Sequence, residues 1–125
     1  MEAMLLISHS KKITDGLREM IIEMIGDSEN ISIYSLGGTS DGRLGTDGLR
    51  IVEYLEMCKH FNNIYIFCDI GSSILSAETA IELADVNKDK VVLIDAPLVE
   101  GAFAASVALS IGATREMILS EINNI

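Results

Sequence analysis

A chain of 125 residues is long enough to bury one core and too short for two domains of ordinary size, so one domain spanning 1–125 is expected. Nineteen acidic against nine basic residues give a net charge of -10, which argues against binding through nucleic-acid phosphates, and three Tyr, three Phe and no Trp leave no aromatic stripe for stacking bases. No apolar run reaches the ~20 residues of a membrane span and no export signal opens the chain, so a cytoplasmic protein with no membrane contact is expected.

Four short apolar runs, Ala3–Ile7, Ile31–Leu36, Ile64–Cys68 and Val91–Ile94, each precede a segment of helical periodicity. That alternation predicts βαβ units, and near-continuous apolar runs predict strands covered on both faces. The expected fold is an α/β three-layer sandwich around a mainly parallel sheet. After the first run, Ile13, Leu17, Met20, Ile21, Met24 and Ile25 recur at steps of three and four and predict one apolar helix face, closed by Gly26-Asp27. A second helix follows Thr46 or Asp47 as N-cap, turns Leu49, Val52 and Leu55 inward and fades over 59–63. A third runs from Ser72 or Ser73, with serine as cap, to Ala84, its face built from Ile74, Ala77, Ile81 and Ala84.

The segment Leu98–Ile111 is apolar on nearly every side, with only Glu100, Ser106 and Ser110 as polar residues. One small domain covers one such face, so the other predicts a subunit interface, most simply that of a twofold homodimer. Thr114 then caps a last helix carrying Met117, Ile118 and Ile122. Cys58 and Cys68, ten residues apart, match no zinc-ligand spacing and are expected to be reduced and packed.

The carboxyl ends of the four runs hold the chemistry: Ser8-His9-Ser10, the Gly-rich 37–42 segment, Asp69-Ile70-Gly71-Ser72-Ser73 and Asp95-Ala96-Pro97. In a sheet of order 2-1-3-4 the winding reverses between strands one and three, and the crevice that opens there would be bordered by His9 and Asp69. A neutral imidazole is a competent nucleophile near pH 7. Asp69 would accept from Nδ1–H, fix the tautomer and leave Nε2 to accept a phosphoryl group. The phosphoryl oxygens would meet N–H groups at Ser10, at Gly71-Ser72-Ser73 and at Gly45-Thr46, with the hydroxyls of Thr46, Ser72 and Ser73 as further donors. No carboxylate cluster implies a metal, and no Walker-type loop implies a nucleotide held by this chain.

Two other readings share this frame. A receiver domain keeps an aspartate at the position of Asp69, but it needs an acidic pair where this chain has Ser8-His9; a flavodoxin needs aromatic residues around the flavin ring that are missing here. A regulatory domain phosphorylated on His9 as a signal would fit the same residues as a relay does.

Leu6-Ile7-Ser8-His9-Ser10, Gly45-Thr46-Asp47-Gly48, Asp69 to Ser73 with Leu75 to Ala80, and Ala96-Pro97-Leu98-Val99-Glu100-Gly101 occur in this order over nearly the whole chain. Together they resemble the phosphotransfer subunit of phosphoenolpyruvate-dependent dihydroxyacetone kinase, and the last two set it apart from the related mannose-type IIA sugar-transport domains. The resemblance implies a mannose-type IIA fold and a homodimer that takes a phosphoryl group from the phosphocarrier protein HPr onto His9. It further implies transfer to ADP carried on a separate ADP-binding kinase subunit, with no cofactor bound by this chain. Asp69 matches the aspartate that supports the active histidine in mannose-type IIA domains. Some relatives carry HPr-like and enzyme I-like domains in the same chain; with Ile125 as the last residue here, the donor is expected in trans. A IIA component for another small sugar is the neighbouring possibility.

Overall fold

The computed structural model describes residues 1–26 and 28–124, so Asp27, half of the expected stop of the first helix, and Ile125 lie outside the described residues. Its elements in chain order are β1 (Glu2–Ile7), α1 (Lys11–Ile25), β2 (Ile31–Ser35), α2 (Gly48–Met57), β3 (Asn63–Cys68), α3 (Gly71–Leu83), a 3-10 turn (Lys88–Lys90), β4 (Val91–Ile94), α4 (Leu98–Ser110) and α5 (Arg115–Ile122). The four strands form one sheet of order β2-β1-β3-β4 with every pairing parallel, as the alternation of runs and helices predicts.

Because successive strand residues point to opposite faces, β1 feeds two cores. Met4 and Leu6 pack with Leu17 and Ile21 of α1 and with Ala102, Ala105 and Leu109 of α4, while Ile118 and Ile122 of α5 close the same layer. Ala3, Leu5 and Ile7 pack with Ile51 and Leu55 of α2 and with Ala77 and Ala80 of α3. The helix after β1 therefore lies on one face and the helix after β2 on the other. Right-handed crossovers require this when the chain leaves β1 in one direction and returns past it to β3. The reversal places the ends of β1 and β3 side by side, with Ile7 opposite Cys68 in register.

Three helix faces differ from the sequence expectation. In α1 the inward stripe is Thr14, Leu17 and Ile21, whereas Ile13, Met20 and Met24 are exposed. The apolar positions make a band wider than the sheet can cover, and buried Thr14 takes an inward place because its hydroxyl accepts from Gly37 N at 2.9 Å. In α2 the inward residues are Ile51, Leu55 and the C-cap Cys58, and Leu49 is 73% exposed. The inward stripe starts at Ile51, two residues after Leu49, while Val52 and Leu55 pack against the same layer as expected. In α3 the N-cap is Ile70, with no side-chain cap, and Ser72 and Ser73 lie within the first turn. Their hydroxyls bond elsewhere, as described below.

Other expectations stand as written. Asp47 caps α2 by accepting from Arg50 N at 3.3 Å, and Thr114 caps α5 by accepting from Met117 N at 3.3 Å. Gly26, at a φ of 75°, ends α1. Cys58 and Cys68 are free and buried. Helix α4 is buried along Leu98, Ala102, Ala105 and Leu109, while Val99 and Val107 on its far side are exposed. Gly101 of α4 sits so close to β3 that an added Cβ would lie 3.0 Å from Ala96 Cβ and 3.2 Å from the Phe67 ring, tighter than ordinary contact. On the open side of β2, Arg18 Nε donates to the Ile33 carbonyl at 2.7 Å and Arg50 Nη2 to the Ser35 carbonyl at 3.4 Å. No helix among the described residues is long and apolar enough to cross a membrane.

Candidate active site at the carboxyl edge of the sheet

The segment after β1 is fixed by backbone bonds that extend the sheet beyond its strands. Leu36 N donates to Leu6 O at 2.8 Å, Gly38 N to Ser8 O at 2.9 Å and Gly45 N to His9 O at 2.8 Å, while Asp69 N on the other side donates to Ile7 O at 3.1 Å. Gly37 admits no side chain, because a Cβ there would run into Ser10 O and Thr14 Oγ1. Gly45 adopts a φ of 134°, open to glycine, as it turns its N–H onto His9. His9 is thus held from both neighbouring chain segments before its side chain makes any contact.

The imidazole lies against Asp69, with Nδ1 3.2 Å from each carboxylate oxygen; the His9 side chain is 30% exposed and that of Asp69 is 18% exposed. An ionised carboxylate only accepts, so Nδ1 carries the proton and Nε2 the lone pair. Asp69 also accepts from His9 N at 3.0 Å, Ile70 N at 2.8 Å, Ser8 Oγ at 3.0 Å and Ser73 Oγ at 2.6 Å. Burial works to raise its pKa, but this is outweighed by hydrogen bonds from Ser73, the His9 and Ile70 backbone N–H groups and the His9 ring, which hold the carboxyl well below the usual carboxylate range. The carboxylate therefore stays an anion and an acceptor throughout the neutral range.

On the opposite side of the ring, Ser72 Oγ is 2.6 Å from Nε2 and donates to its lone pair. Ser73 Oγ is 3.1 Å from Nδ1 with its own proton directed to Asp69. Both serines belong to the first turn of α3, whose positive dipole end faces the ring. Among the described residues, no acceptor engages the backbone N–H groups of Gly71 or Ser72. The site thus pairs a nucleophilic nitrogen with free donors at a helix N-terminus, the complement of a tetrahedral, anionic group.

The family model of EIIA-man, described as the PTS system fructose IIA component, matches residues 3–119. The phosphoryl donor subunit DhaM of PEP-dependent dihydroxyacetone kinase 2 from Listeria innocua is 54% identical over 126 residues, covering 100% of this chain and 99% of the relative. The chain belongs to the DhaM-type phosphoryl donor subunits of the EIIA-man family. The DhaM subunit of the PTS-dependent kinase from Lactococcus lactis is 32% identical, with 94% of this chain and 89% of the relative covered. The DhaM subunit of Providencia stuartii is 38% identical over 97% of this chain, which spans only 26% of that longer protein. Among solved structures, EF1359, a protein of unknown function, superposes with a TM-score of 0.88 at 44% identity, covering 98% of this chain and 93% of that one. A phosphotransferase component EIIA from Streptococcus agalactiae, at 12% identity and a TM-score of 0.68 with 99% and 91% covered, shares the fold.

Within this DhaM-type chain the structure gathers His9, Asp69, Ser72 and Ser73 into one hydrogen-bonded cluster, with Gly71 opening α3 beside it. It does not bring the other two expected phosphate contacts to the ring. Ser10 N donates to Ser8 Oγ at 3.0 Å, and the Thr46 hydroxyl bonds to Ser76 Oγ at 3.0 Å across the seam between α2 and α3. There Thr46, Leu49, Val52, Leu75 and Leu83 line an open cleft of about 530 Å³. Arg43 is paired with Asp41 at 2.9 Å and Lys11 with Asp15 at 2.5 Å, both pairs on the exposed surface. Ser8, which sequence reasoning places at the edge without a role, is fully buried between Asp69 and the start of α1.

Proposed function

We propose that this chain is a phosphohistidine relay of a dihydroxyacetone kinase: His9 Nε2 accepts a phosphoryl group from HPr and passes it to ADP carried on the kinase's ADP-binding subunit. The observation that carries the reading is the His9 ring held between Asp69 at Nδ1 and the Ser72 hydroxyl at Nε2. In the uptake step, the Nε2 lone pair attacks phosphorus as the bond to the donor imidazole breaks, and the electron pair of that bond returns to the donor nitrogen. Asp69 stabilises the positive charge that develops on the His9 ring. Ser72 leaves Nε2 as phosphorus arrives, and its hydroxyl, the Ser73 side of the turn and the free N–H groups of Gly71 and Ser72 meet the phosphoryl oxygens. Ser10 and Thr46 would contribute only if their present bonds to Ser8 and Ser76 were exchanged. In discharge, a terminal phosphate oxygen of ADP attacks the phosphorus, the P–Nε2 bond breaks and its electron pair returns to Nε2, which restores the neutral imidazole; the scheme assigns no bound cofactor to this chain.

The experiment is intact-mass spectrometry after incubation with phosphoenolpyruvate, enzyme I and HPr, followed by the kinase subunit loaded with ADP. An acid-labile phosphoryl adduct that this subunit discharges establishes the relay. An adduct that persists supports the regulatory reading, and no adduct overturns both.

The unpaired face of α4 supports a homodimer as the working form. Phe103, Val107, Ile111 and Met117 line an apolar depression of about 430 Å³ on the outside of α4 and α5, and Ile111 is 83% exposed. A second copy would cover it by twofold packing of the same surface. Sedimentation equilibrium should give twice the 13.5 kDa chain mass for the natural sequence and the chain mass itself for Val107→Asp. A natural chain that sediments as a monomer would remove the dimer.

A further inference from the structure

We propose that Ser8 is a positioning residue for His9, acting through Asp69: its hydroxyl donates to Asp69 Oδ2 and accepts from Ser10 N, tying the carboxylate that faces the imidazole to the first turn of α1. This rests on the relay reading only for its consequence on transfer. The contact itself is independent of it.

Ser8 is fully buried, with its Oγ 3.0 Å from Asp69 Oδ2 and 3.0 Å from Ser10 N. A hydroxyl has one proton, and Asp69 can only accept, so the direction of both bonds is fixed. Two consequences follow. First, the N–H of Ser10 is consumed within the protein and is not offered to an incoming anion. Second, Asp69 Oδ2 shares its charge between Ser8, His9 N and the ring, as Oδ1 does between Ser73, Ile70 N and the ring. A carboxylate divided among these donors binds an imidazolium less tightly than one with fewer partners. For a relay this matters, because a ring too strongly stabilised after phosphorylation would accept the group and then release it slowly.

The other groups around the ring leave this effect legible. Asp69 is the only charged side chain hydrogen-bonded to His9 among the described residues, and Ser72 and Ser73 of α3 are its neutral partners. Lys11 at the start of α1 is engaged by Asp15, and Arg43 of the facing loop by Asp41.

The test is an NMR titration of the His9 imidazole in the full, unphosphorylated chain, comparing the natural sequence with Ser8→Ala, Ser8→Thr and Ser8→Cys. In Ser8→Ala the midpoint should rise by about half a unit, since the carboxylate loses one donor and favours the protonated ring. Ser8→Thr, which keeps the hydroxyl, should stay close to the natural midpoint. Ser8→Cys, similar in shape with a weak donor, should fall between and serves if the alanine variant does not fold. Discharge of phosphorylated Ser8→Ala to the ADP-loaded kinase subunit should slow about threefold, the rate equivalent of half a unit, with rescue by threonine. A midpoint that stays put or falls in Ser8→Ala, or that moves equally in Ser8→Thr, overturns the proposal. The titration uses no phosphoryl donor, so absence of labelling in the natural chain would defeat the relay while leaving the effect of Ser8 on His9 to be judged by itself.

Discussion

His9→Ala, offered phosphoenolpyruvate, enzyme I and HPr, should take up no acid-labile phosphoryl group and should support no dihydroxyacetone phosphorylation in the reconstituted kinase. The loss is complete because, among the described residues, no other imidazole stands at the carboxyl edge between β1 and β3. His60, the second histidine of the sequence, lies beyond α2 with its ring 4.5 Å from Phe61. The fold should survive the change. The His9 side chain is 30% exposed, and the backbone bonds that hold its segment, from Gly38 N to Ser8 O and from Gly45 N to His9 O, do not involve the ring. The urea unfolding midpoint should therefore shift by an amount equivalent to no more than about 1 kcal/mol. Uptake of phosphate by His9→Ala at a rate comparable to the natural chain would remove His9 as the carrier.

Asp69→Asn should slow phosphoryl uptake by about a hundredfold or more, since an amide no longer offers acceptors on both atoms and the tautomer of His9 is released. The damage goes beyond the ring. His9 N, Ile70 N, Ser8 and Ser73 all donate to this side chain, and an amide NH2 group in place of one oxygen confronts two of them with a donor. The same contacts predict a pH dependence of stability with a definite sign. The folded carboxyl is held well below its usual range, whereas the unfolded one titrates near the ordinary aspartate value of about 3.9. Its contribution, on the order of 2 kcal/mol, is therefore fully present above about pH 5 and is lost as pH falls through 4 and below. Urea unfolding of the natural chain at pH 7 and at about pH 2.5 should show this loss, only a small part of which is reached at pH 4, and Asp69→Asn should show a smaller one. Equal pH dependence in the two proteins would mean that the carboxylate contributes nothing to the fold.

Much of this site was legible from spacing alone. Apolar runs too continuous for a half-exposed strand imply a sheet covered on both faces, and the turn of winding then brings the residues after the first and third strands together. That reasoning reaches His9, Asp69, Ser72 and Ser73 with no contact in hand. It fails where burial depends on a partner far along the chain. Thr14 is inward because of Gly37, Thr46 is engaged by Ser76, and Ser8 is sealed beneath Asp69; a polar residue in sequence carries no mark of such a partner. Met20 and Met24 illustrate the opposite error, since they fit the period of α1 and yet lie outside the arc that the sheet covers.

Two arginines, Arg18 of α1 and Arg50 of α2, reach the open margin of β2 and bear on how this protein meets others. A sheet margin is ordinarily a template on which a foreign strand can align, and that invitation leads as readily to fibrils as to recognition. With the outward carbonyls of Ile33 and Ser35 occupied by Arg18 and Arg50, two successive rungs of that template are closed. A visiting strand is thereby discouraged from zipping onto that flank.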